Sequence, residues 1–346
     1  VILMGNLNAV APVISMFFLN TYGMVNLAAA IEKLVGNPSF RPRFQVPWYV
    51  SLLGALGCYG AMFLINWIAT IVAIVISYGV YFYLKRQQME RTWGDVRSGI
   101  WFALARFALL ELEHTRWHVK NWRPNLMVFT GQPHNRQQLV QVANWLSQGQ
   151  GIVTFFQFIV GDVEKMAGRG MRAMAHKHIR DYIQENNMLA FAEVEIVSDF
   201  MQGALSVAQA HGIGGLGSNT ARVGWSGTAK GRASQMELLR NFVALQKSVI
   251  FLNYVPSRGF GQRKRIQVWW QGGGGNADLM LLLAYIISQH GSWRDVEILL
   301  MRVVHAKAGV TDTETHMNHL LETARVDAHP VIIVDKGFQM AQMSTM

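Results

Sequence analysis

The chain has 346 residues, a formal charge of +10, 51% hydrophobic residues and 15% charged ones, below the quarter usual in soluble proteins. One cysteine, Cys58, excludes a disulfide scaffold and is read as a small packing residue. The shortage of charge is local: residues 1–31 and 48–84 carry no Asp, Glu, Lys or Arg, so a membrane part precedes a large water-facing part.

Asn8–Ile31 is long enough to cross a bilayer once. Its Asn20, Tyr22 and Asn26 would prefer protein to lipid, either as helix–helix hydrogen bonds or beside a solute pathway. The uncharged run 48–84 is close to twice the length one span needs. Asn66-Trp67 lies near its centre; Asn suits a tight turn and Trp the membrane–water interface. The expectation is a helical hairpin, 48–65 and 67–84, with Asn66-Trp67 at its tip. Lys33, Arg41 and Arg43 before the hairpin and Lys85-Arg86 after it put both ends in the cytoplasm by the positive-inside rule. The chain opens on Val1 without a signal-peptide n-region and stops shortly after an apolar run, so it is read as a piece cut at both ends.

Residues 87–118 read as a linker containing an amphipathic helix, 94–114, with Trp101, Leu104, Ala108 and Leu112 at helical spacing. From 119 to 346 strand-like runs alternate with helix-period segments. The runs are 126–130, 151–160, 188–197, 220–225, 248–255, 265–271, 296–304 and 329–335. Such alternation implies βαβ units and a mostly parallel sheet. A basic stretch, 258–265, separates two halves, about 119–257 and 264–346.

Several motifs carry two readings. Gly272, Gly273, Gly274, Gly275 and Asn276 follow a strand and open a helix, as in a phosphate cradle, yet no Gly-Lys-Ser/Thr or G-x-G-x-x-G is present. A plain βα turn fits them better, and a nucleotide or anion site remains the alternative. The glycines of 211–225 read as a helix stop. His316 and His319 share a helix face without a third ligand, and His176 and His178 do not face each other, so no metal site is expected. The basic segment 164–184, with Arg169, Arg172, Lys177 and Arg180, is a solvated face or a surface for anionic lipid. No acid pair or Ser/His/Asp set points to catalysis, no cofactor is implied, and no nucleic-acid reader motif is present.

The pieces "LNAVAPVISMFFLNTYGMVNLA" (7–28), "FRPRF" (40–44), "SLLGALGCYGAMFLINWIAT" (51–70), "HVKNWRPNLMVFTGQP" (118–133), "GSNTARVGW" (217–225) and "IQVWWQGGGGNADLMLLLAYII" (266–287) stand in one order. In that order the chain resembles the cation–chloride cotransporters, within the amino acid–polyamine–cation superfamily. The resemblance implies a membrane all-α part, the tenth to twelfth helices of a twelve-helix transporter, followed by a cytosolic α/β regulatory domain. It implies a homodimer in the plasma membrane with the C-terminal domain in the cytoplasm. Sodium, potassium and chloride would bind on helices absent from this chain, so no ion ligand is assigned.

The expected function is therefore the C-terminal part of a symporter of chloride with sodium or potassium. The alternatives are an amino acid or polyamine permease, a membrane-tethered nucleotide-sensing module, and a purely structural tether. Gly54, Gly57 and Gly60, at spacing three, with Trp67, are the candidate dimer contacts, because small residues let membrane helices approach closely.

Overall fold

The computed structural model describes residues 7–35, 46–86, 96–115, 122–271, 276–305 and 309–334. The chain divides into two compact units, Val1–Thr115 and Arg116–Met346.

The first unit is helical. α1 (Leu7–Val35) buries Met16, Asn20, Gly23 and Ala30, one stripe at spacings of three and four. α2 (Trp48–Arg86) is helical except at Asn66, whose φ of −162° and ψ of 105° are extended backbone. The Asn66 side chain accepts from the Ala69 N–H at 3.1 Å, an N-cap for the arm that follows, and its carbonyl accepts from Thr70 Oγ1 at 2.9 Å. The chain reverses there. A straight helix would hold Gly54 and Ser77 roughly 34 Å apart at 1.5 Å per residue. Yet Asn26 of α1 packs against Gly54, while Asn20, about 9 Å away on the same helix, bonds Ser77. Met16, Met62 and Ala73 close one cluster between α1 and both arms. Outward-facing side chains are apolar, with Leu64 91% exposed. Two helical segments, Ile14–Val35 and Trp48–Tyr83, are long and apolar enough to cross a membrane.

α3 (Val96–His114) belongs to this helical unit and touches α1. The sequence predicts one apolar stripe, and the structure differs. Trp101, Leu104 and Ala108 are exposed, and Ile100, Phe102, Phe107 and Leu110 spread apolar surface around the whole helix.

The second unit is α/β. β1 (Leu126–Phe129), β2 (Val153–Val160), β3 (Phe191–Val197), β4 (Thr220–Gly224) and β5 (Ser248–Leu252) form a parallel sheet in the order 3-2-1-4-5. Right-handed crossovers place α4 (Gln137–Ser147) and α6 (Met171–Glu185) on one face. They place α7 (Phe200–Ala210) and α8 (Ala229–Ala244) on the other, around Met127, Phe129 and Phe242. α5 (Val163–Gly168) follows β2. β6 (Arg265–Trp269), β7 (Glu297–Val304) and β8 (His329–Val334) form a second parallel sheet. Its order is sequential, so the same handedness puts α9 (Ala277–Ser288) and α10 (Val310–Ala324) together on one face, over Val268 and Leu300. Trp293 and Ile266 of this half enter the core beneath α4, and the Gln148 amide donates to the Ile286 carbonyl.

The outer edge of β3 is closed by α6. Arg172 Nε donates to the Val194 carbonyl at 2.7 Å, and His176 Nε2 lies 3.0 Å from the Ala192 carbonyl. Part of the basic helix thus caps a sheet edge that would otherwise offer itself to another strand. Arg169, Lys177 and Arg180 remain exposed.

Candidate functional site

In the order 3-2-1-4-5, the connections leaving β1 and β4 run to opposite faces. They leave a crevice outside the carboxyl ends of these strands, where open α/β sheets bind ligands. A cavity of about 490 Å³ lies there, lined by Arg136, Gln138, Trp225, Ser226, Gln235 and Tyr254 among others.

The loop after β4 is built tightly. Thr228 caps α8 by accepting from the Gly231 N–H at 3.1 Å. Ser226 N–H donates to Gln235 Oε1 at 3.0 Å, and Gln235 Nε2 donates to the Gly224 carbonyl at 2.6 Å. Arg232 Nη1 donates to the Gly227 carbonyl at 3.0 Å. A side chain at 231 would strike Ser226 Oγ and come within 2.9 Å of Thr228 Oγ1, so only glycine fits. The opening of α8 presents positively polarised N–H groups beside Arg136 and the Trp225 ring, both in the cavity lining. Such a pocket can hold a small polar or anionic group. No side chain in its lining forms a nucleophile–base pair among the described residues.

At the opposite, amino-terminal edge a polar cluster ties the glycine-rich segment down. Asn219 Oδ1 accepts from the Asn125 N–H at 3.0 Å, and Asn219 Nδ2 donates to the Arg123 carbonyl at 2.7 Å. Lys247 Nζ donates to the Ser218 carbonyl at 2.5 Å. His211 Nε2 sits 3.2 Å from Thr154 Oγ1 and edge-on to Phe156. Burial pulls the His211 imidazole below its ordinary value; Glu193 opposes the shift and Lys247 adds to it. Burial also lowers Lys247.

One residue had no assigned role in the sequence reading. Arg222, in the middle of β4, is fully buried, and none of its three guanidinium nitrogens has a hydrogen-bond partner. Burial pushes it down to about 9. The one signal for it was a charge inside an apolar strand, "TARVGW".

The candidates from sequence fall in different places. Gly272, Gly273, Gly274 and Gly275 lie outside the described residues. Asn276 precedes α9, but its side chain makes no cap bond. Gly54 meets Asn26 of α1, at 3.3 Å from the position of an added Cβ, so it is a close-approach point inside the unit. Gly57 and Gly60 face open space, and Trp67 is 61% exposed. The structure does not bring these four to one place. His316 bonds the Asp312 carbonyl and His319 lies by Thr323, both on α10. No three His, Cys, Asp or Glu converge as a metal site among the described residues.

Comparison with known proteins gives two family matches. Residues 1–128 match the amino acid permease family, and residues 258–346 match solute carrier family 12. The chain is also similar to a crystal structure of the cytoplasmic domain of a prokaryotic cation chloride cotransporter. That similarity is at 16% identity, over 62% of this chain and 80% of that one, with a TM-score of 0.48.

Proposed function

We propose that the chain belongs to the cation–chloride cotransporter family and is the C-terminal part of a secondary-active symporter of chloride with sodium or potassium. The observation that carries this reading is the order of the two matches: a permease membrane part at one end and a solute carrier family 12 part at the other. α1 and the two arms of α2 would be three spans, with the Asn66-Trp67 tip outside and the second unit in the cytoplasm. This supports a scaffold role. An alternating-access site of broken helices would be elsewhere in the protein. Homodimers would form in the plasma membrane, with Gly57, Gly60 and Trp67 free to face a neighbour. The second unit would regulate transport, and the crevice between β1 and β4 is its candidate ligand site.

The test is rubidium uptake by the full-length gene product in liposomes, with chloride present and with chloride replaced by gluconate. Uptake that collapses without chloride supports the reading. Uptake indifferent to chloride favours an amino acid or polyamine permease, the second reading, which the match of the membrane part to amino acid permeases keeps in view. Calorimetry with adenine nucleotides on the same preparation tests the sensing alternative.

A further inference from the structure

Among the described residues Arg222 is the only buried charged side chain, and no Asp or Glu is buried with it. Its Nε, Nη1 and Nη2 have no hydrogen-bond partner. Burial pulls the guanidinium down without a carboxylate to offset it, and at about 9 it still carries its charge at neutral pH. A lone charge in an apolar core is costly, and a counter-charge is what relieves it.

The register of β4 places this charge under the crevice. Arg222 lies opposite Val128 of β1 and Ile250 of β5, both in the core beneath α4. Strand alternation puts Gly224 on the same face, one pleat further on. Gly224 lines the crevice floor with Leu139 and Leu252, and these two leucines also belong to the core beneath α4. Gly224 carries no side chain, and the nearest atom to the position of an added Cβ is Leu139 Cδ1 at 3.9 Å. An ion on that floor is about 7 Å along the strand from the Arg222 backbone, a distance the long arginine stem covers.

The crevice suits a negative ligand. Its lining holds Arg136 and no Asp or Glu, and the amino end of α8 opens onto it. Below the floor, Val128, Leu139, Ile250 and Leu252 offer no polar side chain, so the three guanidinium nitrogens are the donors. One positive charge matches one negative charge. A halide needs no further directional bonds, whereas a phosphate brings more charge than one guanidinium neutralises.

We propose that Arg222 is the counter-charge of a binding site for a small monovalent inorganic anion of the chloride class, entered through the crevice floor at Gly224. The site belongs to the second unit and does not depend on what the membrane part carries.

The test is thermal unfolding of the whole chain in detergent micelles, followed by the near-UV signal, with chloride exchanged for gluconate at constant ionic strength. The expected result is that wild-type Tm rises with chloride, by roughly 5–10 °C at about a hundredfold excess over Kd. Bromide should act like chloride. Arg222→Leu should be more stable than wild type in gluconate and indifferent to chloride. No rise in the wild type overturns the proposal, and so does an equal rise in wild type and variant, which would be a general salt effect. Where Arg222→Leu does not fold, Arg222→Lys decides. It keeps the charge with one donor nitrogen in place of three, so its response to chloride should be smaller; an undiminished response overturns the proposal. Rubidium uptake that ignores chloride would overturn the symport reading and leave an Arg222-dependent rise in Tm standing, which separates the two failures.

Discussion

Asn20 Nδ2 donates a 2.6 Å hydrogen bond to Ser77 Oγ across 57 residues of chain, joining α1 to the far arm of the broken α2. Ser77 Oγ in turn donates to the Ala73 carbonyl at 2.9 Å. The bond is possible only because the chain turns back at Asn66. It lies among apolar residues, beside the cluster of Met16, Met62 and Ala73.

Ser77→Ala removes the acceptor and leaves the Asn20 amide without a partner. The expected loss of stability is about 0.6 kcal/mol, the average for interhelical side-chain bonds in membranes. Asn66→Ala removes the cap on Ala69 and is expected to cost about 1 kcal/mol. Unfolding titrations in mixed detergent micelles measure both; equal midpoints for wild type and both variants would contradict the clasp.

Arg222→Leu should stabilise the second unit. A buried charge without a partner is a net penalty, and well-packed apolar replacements of buried ions gain about 1–4 kcal/mol. Thermal unfolding of the whole chain, followed by near-UV signal from the second unit, should show a higher Tm for the variant. A lower Tm would mean that the guanidinium has a stabilising role not visible in its surroundings.

Gly231→Ala should destabilise the loop after β4. Its methyl would collide with Ser226 Oγ, an overpacking expected to cost about 1–3 kcal/mol. Ser226→Ala combined with it should recover part of the loss, because the two sites share one contact. Purely additive effects in the double variant would refute the collision.

Stability of the second unit should fall on acidification through the histidine range. Burial holds His211 and His290 below their ordinary value, with Arg263 adding to the shift at His290. As pH falls below about 6.5, the unfolded chain takes up protons before the folded one, so the folded state loses stability. Above that range the contribution is fully present. His211→Gln should flatten the slope between pH 7 and 5 in denaturant titrations; an unchanged slope would exclude His211 as a source.

Much of the fold was legible because its signals are local. Asn66 inside a run of 37 uncharged residues marked the reversal, since no single span needs that length and Asn caps a helix well. The strand-like runs at 126–130, 220–225 and 296–304 correspond to β1, β4 and β7, because short β-rich apolar runs between helix-period segments fit parallel strands. The apolar character of α3 was legible, but its placement around the helix was misread. Counting Trp101, Leu104, Ala108 and Leu112 as one stripe passed over Phe102, Phe107 and Leu110 on the other sides.

The sequence by itself determined where the chain avoids charge and where strands alternate with helices, because hydrophobic transfer and backbone periodicity act over a few neighbouring residues. Only the tertiary structure decided which strands became neighbours and which side chains met. The order 3-2-1-4-5, which opens the crevice at Trp225 and Ser226, depends on crossovers between segments far apart in sequence. So does the buried isolation of Arg222, whose strand alternation alone could not say what lies above it. Gly54 shows the same division: its spacing with Gly57 and Gly60 is written in the chain, while the partner it meets, Asn26, is set by packing.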